Sequence, residues 1–170
     1  MTIGTKLIAT TAVLLACTSG AFAQATATAT ATATIVTPIS ITKNVDMNFG
    51  NVAVQTATGG TAVLAPDGTR TYTGGVTLPA TQGTVTAASF TVNGQGVYTY
   101  AITLPTSSLT LTSGSNTMTA STFTSTPSST GILTAGTQTL NVGATLNVAA
   151  AQASGVYISA TPFNVTVNYN

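Results

Sequence analysis

Apolar and polar residues alternate with a period of two along most of this chain. Ile39 and Ile41 alternate with Ser40 and Thr42. Met47 and Phe49 precede a turn at Gly50-Asn51, and Val52 and Val54 follow it. Ala62-Val63-Leu64 leads into Pro66-Asp67-Gly68, where Pro presets φ and Gly accepts a positive φ. Arg70 to Thr73 is the expected returning strand. Val85, then Phe90 and Val92, flank a phase slip at Ala87-Ala88 that predicts a bulge. Asn93-Gly94 predicts a hairpin. Tyr98, Tyr100, Ile102 and Leu104 share one face up to Pro105, and Leu109 and Leu111 share another. Gly114-Ser115-Asn116 separates these from Met118 and Phe123. Leu140, Val142, Ala144, Leu146 and Val148 alternate with polar residues or Gly. Phe163, Val165, Val167 and Tyr169 alternate with Asn164, Thr166, Asn168 and Asn170.

A period of two places alternate side chains on opposite faces of a strand. Thr, Val, Ile, Tyr and Phe dominate these runs and all favour the pleated surface. No helical period appears beyond the first residues. Many short strands separated by Gly, Pro and Asn predict an all-β fold, an antiparallel immunoglobulin-like β-sandwich.

The two ends depart from this pattern. Lys6 precedes an apolar run over residues 7–16, and Ala21-Phe22-Ala23 supplies the small-x-small pattern of a signal-peptidase site. The run is too short for a permanent span. The expected organisation is a signal peptide over residues 1–23, an extended arm over 24–35 and a sandwich over 36–170. The expected location is the cell surface or the extracellular space, by way of the periplasm. A second reading competes: Leu14-Leu15-Ala16-Cys17 resembles a lipobox, in which Cys17 is lipidated and becomes the first residue.

The arm reads Ala-Thr five times over residues 25–34, and its odd phase continues through Ile35 to Ile39 and Ile41. One face is therefore apolar from Ala25 to Ile41 with one polar step at Thr37. An isolated strand is unstable and pairs with a sheet edge somewhere. A flexible linker, an edge strand of the chain's own domain and a donor strand for a neighbouring subunit all fit this pattern. In the donor reading Ala27, Ala29, Ala31, Ala33 and Ile35 enter a groove of the neighbour, and Phe163, Val165, Val167 and Tyr169 line or flank that groove.

Composition narrows the chemistry. The full chain has three Lys and Arg, two Asp and no His. After cleavage at Ala23 only Lys43, Asp46, Asp67 and Arg70 carry side-chain charge, and they cancel. No basic patch exists to neutralise phosphates, so nucleic-acid binding is not expected. A hydrolytic triad lacks its His base, a zinc site lacks His and Cys, and two carboxylates are few for calcium. No catalytic, cofactor or metal residue is expected. Cleavage also removes Cys17, the only cysteine, and with it any disulfide.

The final strand, with its penultimate tyrosine, resembles the terminal strand of chaperone–usher pilins. Ala153-Ser154-Gly155-Val156-Tyr157 and Met47-Asn48-Phe49-Gly50 are similar to elements of pilins of the spore-coat-U type. Across the arm, Ile39 to Lys43, Asn48 to Val52, Leu64 to Arg70, Gly75 to Pro79 and Pro162 to Asn170, the chain resembles the family catalogued as domain of unknown function 4402. That family resemblance implies little about function. The pilin resemblance implies a structural subunit of a surface fibre that polymerises head to tail, with a periplasmic chaperone and an outer-membrane usher as further partners. The alternative is a monomeric surface adhesin with the arm as a spacer. Two features depart from pilins: the missing disulfide and an arm of alanines. A buried Ile contributes roughly 1.5–3 kcal/mol and an alanine methyl about 1 kcal/mol, so such an arm depends on backbone bonds and on Ile35.

Overall fold

The computed structural model describes residues 23–170. The expected signal peptide, and with it Cys17, lies outside the described residues apart from Ala23. Met1–Thr34 and Ile35–Asn170 form separate units. Residues 23–34 are exposed and carry no strand. The second unit holds thirteen strands, numbered in chain order, and the described residues contain no helix.

The longest strand, β11 (Thr137–Val148), organises the fold. Its apolar residues Leu140, Val142, Ala144, Leu146 and Val148 fall on one phase, so all five turn to one face and are buried. Along one side β11 pairs first with β6 (Ala88–Asn93) and then with β3 (Gly60–Leu64). Its other side pairs with β9 (Asn116–Thr126). β1 (Ser40–Val45) extends this sheet beyond β6, β4 (Arg70–Gly74) beyond β3, and β8 (Leu109–Ser113) then β12 (Ile158–Ser159) beyond β9. The result is an eight-stranded sheet in which every pairing is antiparallel.

Two smaller sheets cover its apolar face. β10 (Thr130–Ile132), β7 (Thr99–Thr103) and β13 (Thr166–Tyr169) form one, with β7 central. β2 (Ala53–Val54) and β5 (Val76–Thr77) form the other. The core divides accordingly. Val92, Leu140 and Val142 of the large sheet meet Tyr100, Leu133 and Val167 beneath the three-stranded sheet. Ala62, Leu64, Ala144 and Leu146 meet Val76 of the two-stranded one, with Val52, Val54 and Leu78 packed around them. The sequence expectation of an antiparallel β-sandwich is met.

The outer face of the large sheet explains the abundance of threonine. Cross-strand register aligns Thr73, Thr61, Asn147, Thr119 and Thr110 over five strands. The Thr61 and Thr73 hydroxyls lie 2.7 Å apart, and Asn147 Nδ2 donates to Thr119 O at 3.2 Å and Ser121 Oγ at 3.0 Å. Threonine satisfies two demands there, a β-branched stem for the strand and a hydroxyl for the solvated side.

Two local expectations are corrected. Asn93-Gly94 does not close a hairpin: β6 and β7 lie in different sheets, and the chain crosses between them over residues 94–98. The register irregularity near Ala87-Ala88 lies on the partner strand, between Lys43 and Val45 of β1. At the Pro66-Asp67-Gly68 turn, Asp67 and Arg70 bind different partners. The Asp67 carboxylate accepts from Thr69 N at 2.9 Å and Thr69 Oγ1 at 2.6 Å, while Arg70 Nη1 donates to the carbonyls of Phe49 at 2.5 Å and Asn51 at 3.0 Å. The turn itself forms as expected, with Gly68 at φ 85°.

Candidate functional site

The residues singled out at the C-terminus are brought together. Val167 is buried, while Phe163, Val165 and Tyr169 are half-buried and pack against the same part of the core. The Phe163 ring meets Phe123 at 5.1 Å and Phe90 at 6.4 Å between centroids. These side chains point inward because their odd phase matches the apolar face of the pleat. Their even neighbours Asn164, Thr166 and Asn168 are exposed.

β13 is an edge strand, paired with β7 alone. The direction of its backbone groups follows from the ladder. Asn170 N–H donates to Thr99 O at 3.4 Å, and Ile102 N–H donates to Ser129 O on the far side of β7 at 2.8 Å. Backbone groups of successive residues alternate sides in an antiparallel pair. Thr166 and Asn168 therefore face β7, and the N–H and C=O groups of Val167 and Tyr169 face away from it; the strand begins at Thr166, so the expected alternation from Phe163 to Val165 precedes it. No other strand among the described residues pairs on that side. Such a row of donors and acceptors is a template for another strand.

The opposite edge of the same sheet is closed differently. On β10, Thr130 N–H donates to Ser128 O at 2.6 Å and Ile132 N–H to Gln138 Oε1 at 2.9 Å. Gln138 Oε1 also accepts from the buried Tyr100 hydroxyl at 2.8 Å. Burial pushes the Tyr100 phenol above its ordinary value. The outward donors of β10 are thus already used, and those of β13 are open.

At the end of β13 the penultimate tyrosine ties the start of the domain to its finish. Tyr169 Oη donates to Thr37 O at 2.8 Å and accepts from Gln95 N–H at 2.6 Å. Gln95 Oε1 accepts from Thr37 N–H at 3.2 Å and Thr37 Oγ1 at 3.0 Å. Tyr98 packs edge-on against the Tyr169 ring at 5.6 Å. Gly94 lies under the Tyr169 hydroxyl, and a Cβ there would collide with it and with Leu133 Cδ1. The penultimate position drew attention in the sequence, but its partners Thr37 and Gln95 did not. Neither carries a motif, and the contact spans 132 residues.

The candidate donor residues form no such assembly. Ala27, Ala29, Ala31 and Ala33 are exposed and outside any strand. Ile35 is 92% exposed, the most exposed large apolar residue described. A hollow of about 410 Å³ adjoins the beginning of β13, lined on its apolar side by Leu104, Pro105, Leu109, Pro162 and Phe163. A second, of about 360 Å³, is lined by Met118, Asn147 and Gln152 among others. No charged side chain lines either hollow.

The charged residues are dispersed. Lys43 and Asp46 form an exposed ion pair at 2.7 Å, a kind of contact that contributes under about 1 kcal/mol. The Thr69 hydroxyl and amide on Asp67 hold its carboxyl below the ordinary range. No group of three or more His, Cys, Asp or Glu side chains is placed to hold a metal ion among the described residues. The arrangement therefore offers backbone pairing and apolar contact.

No curated protein and no solved structure matches the chain. A family model does, over residues 39–169, which covers nearly all of the sandwich including β1, the Pro66-Asp67-Gly68 turn and β13. The chain belongs to the family described as domain of unknown function DUF4402.

Proposed function

We propose that this protein is a structural subunit of a bacterial surface fibre, assembled head to tail through its N-terminal arm after export. One observation carries the reading: an exposed arm with one apolar face belongs to a chain whose terminal strand has an unpaired edge. An arm of one copy added to a sheet edge of the next is a heterologous contact, and such contacts build filaments where the rotation does not close. The near-absence of net charge supports self-association. Both ends contribute, the arm as donor and β13, with Phe163 and Val165 just before it, as part of the acceptor.

Sedimentation velocity of the wild-type chain and of Ala29→Asp tests the reading. The wild type is expected to form large assemblies. Ala29→Asp, which places a carboxylate on the apolar face of the arm, is expected to remain a folded monomer. Assembly of Ala29→Asp to the wild-type extent sinks the reading.

A further inference from the structure

We infer that Gln95 is a positioning residue for assembly: its side-chain carbonyl grips Thr37 and fixes the root from which the N-terminal segment leaves the sandwich. This rests on the fibre reading and adds the residue that prepares the donor.

Gln95 stands on a rigid base. Its N–H donates to Tyr169 Oη at 2.6 Å, and its carbonyl accepts from Tyr98 N–H at 3.1 Å. Its two neighbours are fastened to one residue opposite: Gly94 N–H donates to Gly136 O at 2.9 Å, and Gly136 N–H donates to Gly96 O at 3.0 Å. Gly96 and Gly136 both take a positive φ, which their missing Cβ permits. The backbone of Gln95 is thereby part of the sandwich, and its side chain is a short post.

Thr37 gives all of its hydrogen-bonding groups to this corner. Its N–H and its hydroxyl donate to Gln95 Oε1 at 3.2 and 3.0 Å, and its carbonyl accepts from Tyr169 Oη at 2.8 Å. Pro38 follows, with a fixed φ and no N–H, and biases Thr37 to extended backbone. β1 begins only at Ser40, so its ladder with β6 does not reach Thr37. Two residues upstream, Ile35 is 92% exposed. Thr37 is thus held by side chains next to the exposed segment, and Gln95 supplies two of its three bonds.

This grip does little for the sandwich itself. Both bonds to Gln95 Oε1 are exposed, and exposed groups exchange such bonds for water at small net cost. The grip matters where the segment has to be ordered. Fixing a residue on association costs conformational entropy, and a residue already held does not bear that cost again. One backbone residue corresponds to about a ten-fold change in rate or affinity. Towards Thr37 the Gln95 side chain is only an acceptor. A glutamate therefore preserves the grip, and a methionine of similar length removes it.

The test is seeded elongation of the chain starting at Gln24 on sheared wild-type filaments, followed by light scattering. Hydrogen exchange at the Thr37 amide and urea denaturation accompany it. Gln95→Met is expected to elongate about ten-fold more slowly, with Thr37 exchange faster by about the same factor and an unfolding midpoint close to wild type. Gln95→Glu is expected to elongate at the wild-type rate with Thr37 still protected. Thr37→Val removes the hydroxyl bond from the other side and is expected to slow elongation too, which keeps the test open should Gln95→Met fold poorly. Wild-type elongation from Gln95→Met or from Thr37→Val overturns the positioning role and leaves the fibre reading standing. Equal slowing by Gln95→Met and Gln95→Glu does the same. No filaments from the wild-type chain overturns both.

Discussion

The Tyr169 hydroxyl donates to the Thr37 carbonyl at 2.8 Å, joining the penultimate residue to the segment that enters the first strand. It also accepts from Gln95 N–H. One side chain therefore holds together the start of β1, the crossover from β6 to β7 and the end of β13. Tyr169→Phe removes both bonds at little cost in packing. The expected loss is about 1–2 kcal/mol of unfolding free energy, read by urea denaturation. Gly94→Ala is expected to reach a similar or larger loss, because its Cβ displaces the same hydroxyl.

Leu140 and Ile35 make opposite predictions. Leu140 is fully buried between the two layers. Leu140→Ala removes a core side chain and is expected to cost about 2–5 kcal/mol. Ile35→Ala is expected to leave subunit stability within about 0.5 kcal/mol, because the side chain is 92% exposed. Its effect is expected on assembly. Parallel denaturation and sedimentation of the two variants separate stability from polymerisation.

Arg70 holds the turn over residues 48–51 through two carbonyls. Arg70→Met removes charge-assisted bonds to half-buried backbone, with an expected loss of about 1.5–3 kcal/mol. Asp67→Asn, on an exposed turn, is expected to change stability by no more than about 0.5 kcal/mol. Guanidinium titration of both variants checks the contrast.

The pH dependence is set on the alkaline side. The Tyr100 phenol has a pKa raised above its ordinary 10.0 by burial. The folded state therefore holds this proton more tightly than the unfolded chain. That contribution is full below pH 10.0 and is lost as pH rises through the folded value. Thermal midpoints are expected to fall above about pH 10, and Tyr100→Phe is expected to reduce that slope. Asp67 works in the other direction: its lowered pKa favours the folded state above its ordinary value of 3.8 and that preference fades in acid.

The class of fold was legible because its cause is local. Within the sandwich, a period of two with β-branched residues gave strands, and β11 shows the apolar alternation from Leu140 to Val148, whereas the equally periodic arm over residues 25–34 carries no strand. The Pro66-Asp67-Gly68 turn was legible for the same reason. The pairing of strands was not. Asn93-Gly94 has the chemistry of a hairpin, yet Tyr100 must reach the second layer to be buried, and that demand carries the chain across. The contacts of Arg70 were not legible either: the carbonyls of Phe49 and Asn51, which it reaches, are distant in sequence, while Thr69 serves the Asp67 carboxylate. At the candidate site the phase of Phe163 to Tyr169 could be read from sequence. The open edge, the closed edge at β10 and the contact to Thr37 depend on tertiary pairing, and no local pattern encodes them.

The most direct test of the account is electron microscopy of the purified chain starting at Gln24 beside the same chain lacking residues 24–34. Filaments from the first and folded monomers from the second are the predicted result. Monomers from both, or filaments from both, contradict it.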